Sequence, residues 1–137
     1  MKILVINGHP DKESYCQAIY QTIVETIDPN HHELKVISLN DEDFDPVLRY
    51  GYRKRMEEDP FILRSQEWIQ WADHLIFVYP IWWSSMPSLL KGWIDRVFTP
   101  GIAYSANDQG SFILNYLRGK QFKKLLKGKT ASIYATS

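Results

Sequence analysis

The chain opens on an unbroken apolar run, Lys2-Ile3-Leu4-Val5-Ile6-Asn7. A run without alternation suits a strand covered on both faces, as in a parallel sheet. Residues 8–14 break the pattern. Ile19, Ile23, Val24 and Ile27 then fall at helical spacing, which predicts a helix over 14–27 with Ser14 as N-cap or first-turn residue. Asp28-Pro29-Asn30 stops it. Residues 33–39 alternate and predict a second strand nearer a sheet edge. Residues 40–60 are the least regular, with an acidic group at Asp41–Asp45, two prolines and a basic cluster at Arg53-Lys54-Arg55; a short helix within 47–58 is expected there. Ile62, Trp68, Ile69 and Ala72 mark a helix over 61–72. His74-Leu75-Ile76-Phe77-Val78-Tyr79 is a third strand, and 88–98 an amphipathic helix. Residues 105–119 read as a long connection with one helical turn, and 120–127 as a short helix or an extended arm. Gly128-Lys129 is a turn before a fourth strand over 130–135.

The resulting order, β-α-β-α-β-α-β, calls for an α/β fold: a doubly wound parallel sheet with right-handed crossovers and helices on both faces, in a single domain. Ligands of such sheets sit beyond the carboxyl ends of the strands. Three segments lie there: residues 8–14, residues 80–87, and whatever follows Ala135. The first two are therefore expected to be neighbours in space.

Composition narrows the field. The 137 residues carry 16 basic and 16 acidic side chains, a formal net charge of zero, so no basic footprint points to nucleic acid. One cysteine rules out an internal disulfide framework and fits a reducing compartment. The N-terminus runs straight into strand pattern with no leader-like segment, and no apolar run reaches the ~20 residues a bilayer span needs. A cytoplasmic protein without membrane insertion is the expectation. Aromatics make up 14%, enough to fill a core and still line a pocket.

The two edge loops carry the candidate chemistry. Gly8-His9-Pro10 leads into a helix start, where unpaired N–H groups and the helix dipole favour an anion; His9 and Ser14 can donate to phosphate oxygens. An ordinary strand-to-helix turn capped by Ser14 would look the same. The second loop, Pro80-Ile81-Trp82-Trp83-Ser84-Ser85-Met86-Pro87, strands two indoles between prolines. Large aromatics in a surface connection need a flat ligand or a partner to cover them. A flavin ring suits the backbone N–H groups and indoles of this loop; one core Trp and one interface Trp is the alternative. Hydride transfer on a flavin needs no acid–base dyad, because the cofactor does the chemistry.

Other residues carry less. Cys16 lies near the helix start with no identifiable base beside it. His31-His32 lacks a third ligand at metal spacing, and Asp41–Asp45 lacks the calcium-loop pattern. No metal site is expected. Lys120, Lys123, Lys124, Lys127 and Lys129 fit a solvated face.

Taken together, Leu4-Val5-Ile6-Asn7-Gly8-His9-Pro10, Ser14, Ile76-Phe77-Val78-Tyr79-Pro80-Ile81-Trp82-Trp83, Met86-Pro87, Leu90-Lys91-Gly92-Trp93-Ile94-Asp95-Arg96-Val97-Phe98 and Gly101-Ile102-Ala103-Tyr104 resemble the flavodoxin-like NAD(P)H:quinone oxidoreductase family. The resemblance implies a flavodoxin-like fold with strand order 2-1-3-4-5 and bound FMN or FAD. It also implies a homodimer with active sites at the subunit interface, and ping-pong two-electron reduction of quinones by NADH or NADPH. Carried over by position, His9, Ser14, Tyr15 and Cys16 would surround the flavin phosphate, although many relatives have Asn in place of Cys16. Pro80, Ile81, Trp82 and Trp83 would hold the isoalloxazine, Thr136 would begin a third flavin loop, and Tyr104 would line the pocket for nicotinamide or quinone and orient the acceptor.

Two departures stand out. Residues 105–122 look longer than in many relatives. Relatives also continue past the fourth strand with a loop, a fifth strand and a last helix. A sheet of order 2-1-3-4 without them would expose a parallel edge, so truncation or a covering partner is expected. Rival readings are a regulatory subunit of a potassium-efflux system, a one-electron carrier flavodoxin, and a truncated non-catalytic fragment.

Overall fold

In the computed structural model, which describes residues 1–106 and 122–137, the six apolar residues at the N-terminus form β1 (Lys2–Asn7), the centre of a parallel sheet. Helix α1 (Tyr15–Thr26) follows, then β2 (Glu33–Ser38), α2 (Pro60–Trp71), β3 (His74–Pro80) and α3 (Ser88–Val97). Two three-residue strands, β4 (Tyr104–Ala106) and β5 (Phe122–Lys124), precede β6 (Thr130–Thr136). The main sheet runs β2-β1-β3-β6, all parallel. This is the order 2-1-3-4 of the four sheet strands expected from the sequence.

The unbroken apolar run of β1 is explained by its two covered faces. Ile3 and Val5 point toward α1 and pack with Cys16, Tyr20, Ile76 and Val78. Leu4 and Ile6 point the other way, into a larger core with Ile37, Ile62, Ile69, Leu90, Trp93 and Val97 from β2, α2 and α3. Helices thus cover both faces. The buried Trp93 indole N–H donates to Ser65 Oγ (3.1 Å), joining α3 to α2 without leaving a polar atom unpaired.

Local chemistry sets the helix ends. Ser14 caps α1, its Oγ accepting from the Gln17 N–H at 3.2 Å. Asp59 caps α2 by accepting from the N–H groups of Phe61 and Ile62, and Pro60 occupies the first helical position, where its missing N–H costs nothing.

Two expectations are corrected. No helix forms within 47–58. The segment makes turns, with Gly51 N–H donating to the Leu48 carbonyl and Arg53 N–H to that of Tyr50, and Gly51 at φ +56°. The residue that leads into it is held from outside: the buried Arg96 of α3 donates to the Asp45 carbonyl. Residues 105–106 lie in β4 rather than in an irregular connection, and β5 pairs antiparallel with it, Tyr104 opposite Lys124. From 122 onward, the lysine-rich stretch is a strand followed by a turn. The helical turn expected within 105–119 lies outside the described residues from 107 onward. Among the described residues, no helix is long and apolar enough to cross a membrane.

Candidate functional site at the carboxyl edge of the sheet

Parallel pairing carries the ends of β1, β3 and β6 to one edge, and the segments that leave them meet there. Gly8 N–H donates to the Val78 carbonyl at 2.8 Å, anchoring the first loop to β3. Pro80 stands opposite Thr136 in register, and Ile81 N–H donates to the Thr136 carbonyl at 2.7 Å. The His9 imidazole meets the Trp82 indole edge-on, ring centroids 5.3 Å apart and planes at 76°. Two loops more than 70 positions apart in sequence are therefore in direct contact, as the strand order demands.

The second loop is a tight hairpin. Trp82 N–H donates to the Ser85 carbonyl (2.8 Å), and Ser85 N–H donates back to that of Trp82 (3.1 Å). The two residues between, Trp83 and Ser84, both have positive φ, +51° and +61°. That is the signature of a type I′ turn, which asparagine and glycine occupy readily and other residues only with strain. Trp83 is fully exposed, and among the described residues no acceptor meets the N–H groups of Trp83 and Ser84. A flat, exposed indole and two N–H donors thus sit side by side.

The first loop offers the start of α1. Ser14 Oγ is engaged as cap acceptor, which leaves its O–H free to donate outward. Tyr15 is exposed at the first turn. Cys16 differs: its thiol is buried and lies 3.2 Å from Thr136 Oγ1, so what it presents to the helix start is its backbone N–H. His9, Ser14, Tyr15, Cys16, Pro80, Ile81, Trp82, Trp83 and Thr136 are thus drawn to one edge, with Pro80 and Cys16 as buried supports.

Tyr104 lies on the second, two-stranded sheet. It begins β4, its carbonyl accepting from Gly101 N–H at 2.7 Å, and its neighbour is Tyr52. Burial, followed by Tyr104 and Asp95, pushes the Tyr52 hydroxyl above its ordinary value. A cavity of about 440 Å3 opens nearby, between 48–59 and the outer side of α2 and α3, with Tyr52, Met56, Ile62, Gln66 and Arg96 in its wall. None of the edge residues lines it.

Sequence reasoning missed the polar residues that fix the first loop. Asn7, Gln17, Ser38 and Asn40 are joined by side-chain hydrogen bonds beneath His9. One signal was visible: an amide ending an otherwise apolar strand.

The family described as flavodoxin-like fold matches residues 1–137. The chain belongs to the flavodoxin-like fold family. Within it, the chain is 31% identical over 134 residues to NAD(P)H dehydrogenase [quinone] 1 of Cavia porcellus, covering 81% of this chain and 49% of that protein. The crystal structure of Smu.1420 from Streptococcus mutans UA159 superposes with a TM-score of 0.79 at 34% identity, over 100% of this chain and 68% of the other. General stress protein 14 of Treponema denticola, solved in complex with FMN, gives a TM-score of 0.61 at 25% identity, over 98% of this chain and 61% of that one. The chain spans about half to two thirds of the length of the curated relatives it matches. The flavodoxin-like assignment accounts for the parallel sheet, its strand order and the loops gathered at its carboxyl edge.

Proposed function

We propose that this chain carries the flavin site of an NAD(P)H oxidoreductase that reduces quinones or similar acceptors by two electrons, in ping-pong fashion, with NADH or NADPH as donor. The observation that carries the reading is the meeting of the His9 loop with the Trp82–Trp83 turn at 5.3 Å. One loop supplies an anion-binding helix start, the other an exposed aromatic plane with adjacent N–H donors. Those are the needs of a phosphate and of an isoalloxazine ring. The name of the Cavia porcellus relative supports the reaction, and the FMN in the Treponema denticola protein supports FMN over FAD.

The residues fit such a group. His9 and Ser14, with the N–H groups of Tyr15 and Cys16, would hold the phosphate. The N–H groups of Trp83 and Ser84 would address the polar edge of the ring, and the Trp83 indole would exclude water from one side. Bound flavin would supply the hydride chemistry; the chain's part is to bind, orient and shield. Tyr104 is proposed as an acceptor-orienting residue in a homodimer, in which a second copy would bring its β4 to this edge.

The test is an absorbance spectrum of the purified protein, with identification of the released cofactor. A yellow protein bleached by NADPH and re-oxidised by menadione is expected. A colourless protein that takes up neither FMN nor FAD would reject the proposal.

A further inference from the structure

β1 ends on a residue that its environment does not call for. Asn7 is completely buried, at 0% exposure, where the preceding four residues are all apolar and buried. A buried amide is costly unless all its hydrogen-bonding capacity is met. Here it is met in a closed circuit. Asn7 Nδ2 donates to Gln17 Oε1 at 2.7 Å and to Ser38 Oγ, its register partner on β2, at 3.1 Å. Ser38 Oγ donates onward to Asn40 Oδ1 at 2.9 Å. Asn40 Nδ2 returns to Gln17 Oε1 at 3.3 Å. Four side chains from β1, α1, β2 and the turn after β2 thus form a ring.

Two bonds lead out of this ring to one residue. His9 N–H donates to Asn7 Oδ1 at 3.1 Å, and Asn40 Nδ2 donates to the His9 carbonyl at 3.1 Å. Both backbone polar groups of His9 are therefore held. Its ring is oriented as well: Asp11 N–H donates to His9 Nδ1 at 2.9 Å. Nδ1 is then an acceptor, and the proton of the neutral imidazole resides on Nε2.

We propose that Asn7, Gln17, Ser38 and Asn40 are positioning residues that hold the His9 backbone where the Asp11 N–H can preset the ring as an Nε2–H donor, so that this donor is in place before its ligand arrives. The identity of the ligand rests on the flavin reading; the clamp on His9 does not. A ring that served only to staple β1, β2 and α1 together would need no bonds to the His9 backbone. A preset donor binds its anion without first paying the entropy of loop ordering.

The test uses Asn40→Ala, because Asn40 is only partly buried and its loss leaves the strands intact. FMN is titrated into flavin-free protein and its fluorescence quenching gives Kd. Asn40→Ala is expected to weaken FMN about tenfold, the scale of one hydrogen-bonding interaction. In a His9→Ala background the same change is expected to cost nothing further, because its effect on FMN passes through the His9 imidazole, which that background lacks. An undiminished loss in that background, or no loss in the parent, overturns the proposal. The 15N shifts of the His9 imidazole in ligand-free protein give a second reading that needs no flavin. The parent should show the Nε2–H tautomer alone, and Asn40→Ala a mixture. If no variant and no parent binds FMN, the flavin reading falls, and the tautomer result decides by itself: an unmixed Nε2–H form in Asn40→Ala rejects the clamp.

Discussion

At the scale of single residues, the sharpest feature is the strained pair Trp83-Ser84. Each holds a positive φ that an L-residue adopts only at a cost of about 1–2 kcal/mol. Trp83 does so while completely exposed, so no packing offsets the strain. Replacing both with Asn-Gly, the pair best suited to this turn, is expected to raise stability without flavin by about 1–2 kcal/mol. The same change removes the exposed indole and should weaken FMN about tenfold, in line with one lost aromatic contact. Thermal melts of flavin-free protein and FMN titration read the two effects; equal signs for both would place the strain outside function. The tryptophans were conspicuous in the sequence because large aromatics between prolines have no local reason to be there. Their backbone strain was not legible, since positive φ in non-glycine residues leaves no mark on composition. Of the ring beneath His9 only the amide ending β1 was visible, because Asn7 and Ser38 become neighbours only through strand register.

At the scale of elements, α3 does more than fill the core. Gly92 lies where a Cβ would sit 2.5 Å from Pro46 Cβ and overlap its carbonyl oxygen. One turn later, Arg96 donates to the Asp45 carbonyl. Together they seat the segment after β2 against the helix, and Tyr52 Oη, farther along that segment, donates to the Asp95 carbonyl of α3 at 3.5 Å. The segment is held by a surface elsewhere in the chain, and no local period reports that. Gly92→Ala should destabilise by about 1–3 kcal/mol through overpacking, despite the better helix propensity of alanine; urea denaturation measures it, and a neutral result would mean that Pro46 moves freely. The same segment has a pH signature. Asp45 is held below the ordinary carboxylate value, first by the Val47 N–H and then by Arg49. A carboxyl lowered in the folded state contributes stability that is complete above the unfolded value and lost as pH falls through the folded one. Asp45→Asn should therefore flatten the acid limb of stability against pH. Asp28, lowered chiefly by the Asn30 N–H, has the same sign and keeps part of the slope in that variant.

At the scale of the whole molecule, strand order does the organising. The alternation of apolar runs and helical periods was enough to foresee the parallel sheet, its covered centre and the meeting of two distant loops. It could not foresee β4 and β5, because a three-residue antiparallel pair is below the length at which alternation can be read. Order also gives β6 a double role. Among the described residues it is an edge strand, with Ile133 and Tyr134, which point to opposite faces, both exposed. Yet its last residue supports the site: the Thr136 carbonyl accepts from Ile81 N–H at 2.7 Å, and its hydroxyl lies 3.2 Å from the Cys16 thiol. A strand with little cover on its faces opens more easily than β1, whose residues are buried on both. A ligand that needs the Trp82–Trp83 turn in place must therefore bind the form in which β6 is docked. By mass action, FMN at about 100 times its Kd favours that form by up to about 2.7 kcal/mol. Amide exchange along β6 should slow by as much as about a hundredfold when FMN is present. The amides of Leu34, Lys35 and Val36, on the opposite edge, should change far less. Equal slowing at both edges would assign the effect to global stability, and unchanged exchange in β6 would detach Thr136 from the site.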